Sequence, residues 1–328
     1  MSRGGAVPSD AARDDLGPVG AAPGDLGPAG TARDDLGPAG APPAPFGARL
    51  RAVTAERGPL CVGIDPHASL LRGWGVGDDP AGLERFACTV VEALGDRVAV
   101  IKPQSAFFER FGSRGMAVLE RVLADIRAAG AIALADVKRG DVGSTMEAYA
   151  AAWLDPGSPF AADAVTASPY LGVGALRPLL DRARAGGGGV FVLALTSNPE
   201  GAAVQRAIGP DGRTVAEGVI AAVAAENAGD PGAGGSVGVV VGATLADIPD
   251  LAGLGGPVLA PGVGAQGATI ADLPRLFGRT LPSVLPSVSR EVLRHGPSVA
   301  ALRVAAEALN HEARALPGFT ASPAESVR

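Results

Sequence analysis

Ala131-Ile-Ala-Leu-Ala-Asp-Val-Lys-Arg-Gly-Asp-Val-Gly-Ser-Thr145 decides how the rest of the chain is read. Ile132, Leu134, Asp136 and Lys138 recur every second residue, so in a strand all four project to one side, with the apolar pair leading and the charged pair at the C-terminal end. Gly140 then ends the strand. Asp141 follows Lys138 by three residues, close enough to return a second carboxylate to the same ammonium. Charges placed on a buried apolar strand lose hydration that only their partners replace, so the cluster implies a purpose; the alternative for this stretch is a solvated strand-to-helix turn with incidental charges.

Outward from this stretch, short apolar runs alternate with helical patterns from Phe46 onward. Residues 60–64, 98–102, 132–136, 164–167, 190–195, 237–241, 258–260 and 283–288 read as eight strands. Between the second and third, Met116, Leu119, Val122, Leu123 and Ile126 recur at three and four residues and Gly130 closes the run, which predicts an amphipathic helix. A last helix is expected at about 299–309. Eight strand-then-helix units with near-continuous apolar strands predict an α/β fold, a closed (β/α)8 TIM barrel of parallel strands covered by helices. Its chemistry is expected at the C-terminal ends of the strands.

The barrel is expected to span 46–316. Residues 12–41 hold a ten-residue repeat, Ala12-Arg-Asp-Asp-Leu-Gly-Pro-Val-Gly-Ala21 and two near copies, each with one leucine (Leu16, Leu26, Leu36) among structure breakers. Such a unit buries too little apolar surface to offset the entropy of ordering, so 1–45 reads as a disordered tail; nothing beyond those leucines could anchor a partner. Residues 317–328 read as a loose C-terminal end. The 328 residues are 47% hydrophobic with a formal charge of -6, enough for a sizeable core and the wrong sign for a nucleic-acid surface. Cys61 and Cys88 lack metal-ligand spacing and make no disulfide framework. No apolar run is long enough for a membrane helix and no signal-peptide order opens the chain, so a reduced, cytoplasmic setting is expected.

Strand ends carry the functional signal. The first closes in Gly63-Ile-Asp65-Pro-His67, the second in Ile101-Lys102-Pro-Gln104, and the third in Asp136, Lys138 and Asp141, so three successive strands deliver acid, base, then acid-base-acid to one rim. Read singly, Asp65 could cap a turn, Lys102 could be a solvated amine, and His67 reads as a loop histidine. The later ends are polar and glycine-rich: Thr196-Ser197-Asn198 after the fifth, Pro261-Gly-Val-Gly264-Ala-Gln266-Gly267 after the seventh, and Ser289-Arg290 after the eighth. Ser197 and Asn198 could hydrogen-bond the edge of a heterocycle. Glycines let backbone N–H groups approach an anion, and Gln266 with Arg290 adds side-chain donors. Barrels often hold phosphate in the loops after strands seven and eight, so position and composition together point to a phosphorylated ligand.

Asp65, Lys102, Asp136-Val-Lys138-Arg-Gly-Asp141, Thr196-Ser-Asn198, Pro261-Gly-Val-Gly-Ala-Gln266 and Ser289-Arg290, in this order, resemble the orotidine 5'-phosphate decarboxylase family over about 46–312, and most closely its bacterial subgroup with a Lys-Arg-Gly-Asp third strand. The resemblance implies decarboxylation of orotidine 5'-phosphate to UMP without a metal or other cofactor. It implies that Lys138, flanked by Asp136 and Asp141, stabilises and then protonates a C6 carbanion. Lys102 joins that charged array and, with Asp65, contacts ribose hydroxyls; Ser197 meets the pyrimidine edge; Gln266 and Arg290 hold the phosphate. It also implies a homodimer in which Asp141 and Thr145 reach the neighbouring site.

Three other readings fit parts of the pattern. Magnesium-dependent phosphosugar barrels, such as hexulose-phosphate synthases, share an Asp-x-Lys-x-x-Asp strand but need an added acidic ligand near the second strand, where this chain has Lys102-Pro-Gln104 and only the more distant Glu109. A Schiff-base aldolase would use Lys138 or Lys102 as nucleophile, which a lysine between two aspartates serves poorly. A non-catalytic nucleotide sensor would keep Gln266 and Arg290 without the charges on the opposite rim. Arg139-Gly140-Asp141 as an adhesion motif would need secretion, for which the sequence offers no signal.

Overall fold

The computed structural model describes Met1 and residues 44–229 and 234–319. The repeat tail assigned to 1–45 lies outside the described residues apart from its ends. The chain divides after Ala41, and the unit from Pro42 onward contains the barrel.

Eight parallel strands close in sequence order: β1 (Cys61–Ile64), β2 (Val100–Pro103), β3 (Ile132–Arg139), β4 (Ala164–Ala167), β5 (Gly189–Leu195), β6 (Val237–Val241), β7 (Val258–Pro261) and β8 (Val284–Val288). Closure is made by β8 pairing with β1, Cys61 opposite Ser287. The expected TIM barrel is therefore present, with strand limits within two residues of those expected except in β3, which runs to Arg139. Its charged end stays in the sheet because Arg139 is paired with Ala167 of β4.

Alternation sorts each strand into two faces. Cys61, Val100, Ile132, Leu134, Ala164, Phe191, Val240, Leu259 and Leu285 form a buried cluster inside the barrel, whereas Ala133, Ala135 and Val137 belong to the larger cluster beneath the helices. The same parity carries upward, so the residues two places beyond Val100 and Leu134, Lys102 and Asp136, sit on the inner face above an apolar floor. The opposite end of the barrel is plugged by the helix Phe46–Arg57, whose Phe46 and Leu50 join the inner cluster. Phe46 meets the Phe191 ring edge-on at 6.1 Å, and a Cβ on Gly189 would lie 2.4 Å from the Phe46 ring, so only glycine admits the plug. Fully burying such a ring contributes about 1.5–3 kcal/mol.

The amphipathic helix expected around Met116 to Ile126 is Gly112–Ala128, with Leu119, Val122, Leu123 and Ile126 buried against the sheet, and Gly130 follows at φ 83°. The closing helix, Val299–Arg314, starts on a Ser298 side chain that accepts from the Ala301 N–H, a cap that satisfies one of the free donors of its first turn. It runs one turn beyond the expected 309. The C-terminal end expected to be loose from 317 still packs at its start, since Phe319 lies against the core.

Candidate active site

The C-terminal ends of the strands surround a cleft of about 400 Å³, a volume suited to a small nucleotide. Asp65, Lys102, Asp136 and Lys138 line one side of it; Gln266 and Arg290 line another. Alternation along β1 to β3 places Asp65, Lys102 and Asp136, whereas Lys138 owes its position to a break in that alternation.

Asp136 is the hub. Its Oδ2 takes the Lys102 ammonium at 3.0 Å, and its Oδ1 takes the Lys138 ammonium at 2.6 Å and the Thr166 hydroxyl at 2.8 Å. Lys102 and Asp136 are buried, 6% and 7% exposed, so neither can exchange its partner for water. Burial alone would push the Asp136 carboxyl up, but the two ammonium groups, with the Lys138 and Thr166 hydrogen bonds, outweigh it and hold the carboxyl well below the usual carboxylate range. Burial would likewise lower Lys102, and the charges of Asp136 and Asp65 reverse that and hold it above the ordinary lysine value. Two lysines on one carboxylate leave the trio a net charge of +1, which the neighbouring Asp65 balances; Lys138, its side chain 46% exposed, holds its charge at the open side of the cleft.

Beside this cluster the Asp65 Oδ1 is buried without a hydrogen-bond partner among the described residues, as is the Ser289 hydroxyl. A buried acceptor of this kind calls for an explanation, and a ligand hydroxyl supplies one. Lower in the barrel, burial pushes the Cys61 thiol up to about 11, so it stands beneath the charges as a neutral, apolar floor.

Lys138 projects from an irregular backbone. Between the Ala135–Val165 and Arg139–Ala167 pairs, four steps along β3 match two along β4, a bulge that redirects the side chains at its centre. Within it Lys138 has φ 47°, a conformation costing a residue with a Cβ about 1–2 kcal/mol.

The other side of the cleft is a folded glycine loop. The Gly264 N–H bonds the Ala268 carbonyl at 2.7 Å and the Gly267 N–H bonds the Gly264 carbonyl at 2.8 Å, and Gln266 stands exposed at the edge of the cleft. Gly264, at φ 81°, lies where a Cβ would press on the Glu291 side chain at 2.8 Å. Arg290 opens the short helix Arg290–Leu293 and is exposed.

Not every expected residue sits in the cleft. The sequence spacing placed Asp141 on its own Lys138; instead its carboxylate accepts the Val142 N–H at 2.8 Å, and among the described residues the one ion-pair partner of Lys138 is Asp136. The physical reason is the left-handed turn at Lys138, which swings the following residues off the line of the strand. Thr145 is exposed on the helix Gly143–Leu154. Ser197 and Asn198 lie on the exposed turn beside the cleft, where Asn198 accepts from the Thr196 hydroxyl at 2.6 Å and donates to Glu200 at 3.1 Å. Sequence reasoning missed Thr166, which reads as one more β-branched strand residue. It also passed over Gln104, Thr196 and His67 as cleft residues, His67 with its ring edge-on to Phe107 at 4.5 Å. Their position just after strand ends was the available signal.

Residues 58–305 match the sequence profile described as the orotidine 5'-phosphate decarboxylase / HUMPS family. The chain belongs to this family. Among individual proteins it is 66% identical over 271 residues to the orotidine 5'-phosphate decarboxylase of Salinispora arenicola, covering 82% of this chain and 97% of that one. It is 63% identical over 272 residues to the enzyme of the same name from Streptomyces coelicolor, again covering 82% and 97%. A solved Streptomyces avermitilis structure assigned as an orotidine 5'-phosphate decarboxylase superposes with a TM-score of 0.83 at 60% identity, over 88% of this chain and all of that one. Family membership agrees with the barrel, and with a charged rim facing a glycine-rich one.

Proposed function

We propose that this protein converts orotidine 5'-phosphate to UMP and CO2, with Lys138 as the group that stabilises and protonates the reacting carbon. The observation that carries the reading is the Lys102–Asp136–Lys138 array lining one side of a cleft whose other side presents Gln266 and Arg290. High identity to relatives named for this reaction supports the same substrate.

The chemistry follows from the electrons. When the C6–carboxylate bond breaks, its pair stays on C6 in an orbital lying in the ring plane, where the π-system cannot spread it. A fixed cation must meet that charge. The Lys138 ammonium, held on Asp136, is such a cation and also carries the proton that forms the new C6–H bond; water then restores the lysine. Asp136 stands near the substrate carboxylate and disfavours it in the ground state. The free Asp65 oxygen and Lys102 suit ribose hydroxyls, Ser197 and Asn198 the pyrimidine edge once the loop folds in, and Gln266, Arg290 and the Gly264 turn the phosphate.

Asp141 and Thr145 do not line their own cleft, which fits the expectation that they serve a second copy of the chain. Val142, Tyr170 and Leu171 are 55%, 81% and 53% exposed on the same rim, apolar surface that a homodimer would cover.

A magnesium-dependent phosphosugar enzyme is the second reading, since such barrels share the Asp-x-Lys-x-x-Asp strand seen in Asp136-Val-Lys138-Arg-Gly-Asp141. It needs an acidic ligand near β2, and Glu109 instead accepts from Ser105 at 2.9 Å and Arg139 at 2.6 Å outside the cleft. The test is the fall in ultraviolet absorbance as orotidine 5'-phosphate is consumed, with excess EDTA. Turnover should be unchanged by the chelator. Turnover of a phosphosugar that needs added magnesium, with none of orotidine 5'-phosphate, would sink the reading.

The pH dependence has a definite sign. Asp136 sits below its ordinary 3.8 and Lys102 above its ordinary 10.5, so both keep their charges between those limits. The stability contributed by Asp136 is present above 3.8 and lost as pH falls below it; that of Lys102 is lost only as pH rises above 10.5. Steady-state kcat should therefore be flat from about pH 5 to about pH 9, while kcat/KM declines below about pH 6 as the substrate phosphate gains its second proton. A bell centred near neutrality in kcat would contradict this assignment.

A further inference from the structure

Among the described residues Lys138 is the one non-glycine residue with a left-handed φ. Such a conformation persists where its surroundings over-determine it, and here they do so through one side chain. The Lys138 N–H donates to the Thr166 Oγ1 at 3.0 Å. The same Oγ1 donates to Asp136 Oδ1 at 2.8 Å, the oxygen that also receives the Lys138 ammonium at 2.6 Å. The directions are forced: a peptide N–H has no lone pair to accept with, and a hydroxyl has a single proton to give. Lys138 is thus tied at both ends, by backbone and by ammonium, into one closed ring through Thr166 and Asp136. Thr166 is 2% exposed, so its hydroxyl has no water to turn to.

We propose that Thr166 is a positioning residue for the decarboxylation, one whose hydroxyl sets the left-handed turn at Lys138 and the carboxylate oxygen beneath its ammonium, and so fixes where the proton is delivered. The inference rests on the reading of Lys138 given above. Although Thr166 lines the cleft, it acts through Lys138 and Asp136. A threonine that merely filled the strand would be replaced by valine, of the same shape, at no loss.

The experiment is a series in one kinetic and binding assay: Thr166→Val, Thr166→Ser, Lys138→Ala, and Lys138→Ala combined with Thr166→Val. Thr166→Val should lower kcat about a hundredfold, the loss typical of a reacting group displaced by about 1 Å. UMP affinity and KM should stay within about threefold, because Gln266 and Arg290 are untouched, whereas Thr166→Ser should recover kcat to within about tenfold of the parent. Added to Lys138→Ala, Thr166→Val should cause no further loss, since a residue acting through an absent amine has nothing left to do. Should Thr166→Val not fold, Thr166→Ala is held to the same criteria. Full activity in the valine chain, equal impairment of serine and valine, or loss of UMP binding along with kcat would each overturn the proposal. A Lys138→Ala chain that turned over at the parent rate would overturn the reading beneath it, whereas a Lys138→Ala chain slowed about a thousandfold beside a fully active Thr166→Val would overturn this inference alone.

Discussion

Lys138→Ala should lose at least about a thousandfold in kcat, the scale seen when a preorganised group facing developing charge is removed, while UMP still binds. The two halves of the expectation have separate physical sources. At the charged side, the variant keeps Lys102 on Asp136, so the buried carboxylate is not stranded and the barrel has no reason to unfold. What disappears is the cation that meets the in-plane electron pair and the proton that ends it, and Lys102, buried at 6% exposure and drawn to Asp136 and Asp65, is not free to move across. On the phosphate side, Gln266 and Arg290 are unchanged. Turnover by Lys138→Ala equal to that of the parent would remove the mechanism. The same variant tests whether sites are shared. Mixed one to one with an inactive Asp141→Ala chain, half of the dimers would be mixed and each would hold one intact site, so activity should return to about a quarter of the parent value if Asp141 works in its neighbour. No recovery after subunits have exchanged would place the function of Asp141 elsewhere.

How much of this was legible beforehand depends on the kind of information each residue carries. Period-two alternation is a local property, and it correctly placed Ile132 and Leu134 on the barrel's inner face with Asp136 above them and Lys102 alongside. The eight-strand count and its closure followed from a second local signal, short near-continuous apolar runs alternating with helical patterns. The bulge in β3 left no trace: a left-handed turn is ordinarily announced by glycine or asparagine, and here it falls on a lysine because Thr166, twenty-eight residues away, holds it there. For the same reason the spacing of Asp141 misled, since counting three residues from Lys138 assumes a chain that continues straight. Thr166 itself was hidden in Ala-Val-Thr-Ala, where a β-branched residue in a strand needs no comment. The plug formed by Phe46 was similarly out of reach, because its partner, Gly189, signals only by what it lacks.

Arg290→Ala is the complementary test, at the side of the cleft away from the chemistry. A guanidinium paired with a phosphate forms charge-assisted hydrogen bonds of about 1.5–3 kcal/mol each, and two of them in parallel lift KM by about 10²-fold or more when removed. The effect on kcat at saturation should be much smaller, less than about tenfold, because no atom of Arg290 need approach C6. Its size still carries information. Were the phosphate merely an anchor, kcat would be unchanged; if its binding energy also draws the loops after β5 and β7 closed over the ring, some of that energy shows in kcat. The loop after β5 is the natural candidate, since Ser197 and Asn198 stand exposed beside the cleft and Asn198 is occupied with Thr196 and Glu200. Orotidine, which lacks the phosphate, separates these effects. With it the parent and Arg290→Ala should react at indistinguishable, very low rates, because there is nothing for the arginine to hold. A variant slowed as much on orotidine as on the phosphorylated substrate would mean that Arg290 supports the fold of the site, and the phosphate assignment of that wall would have to be given up.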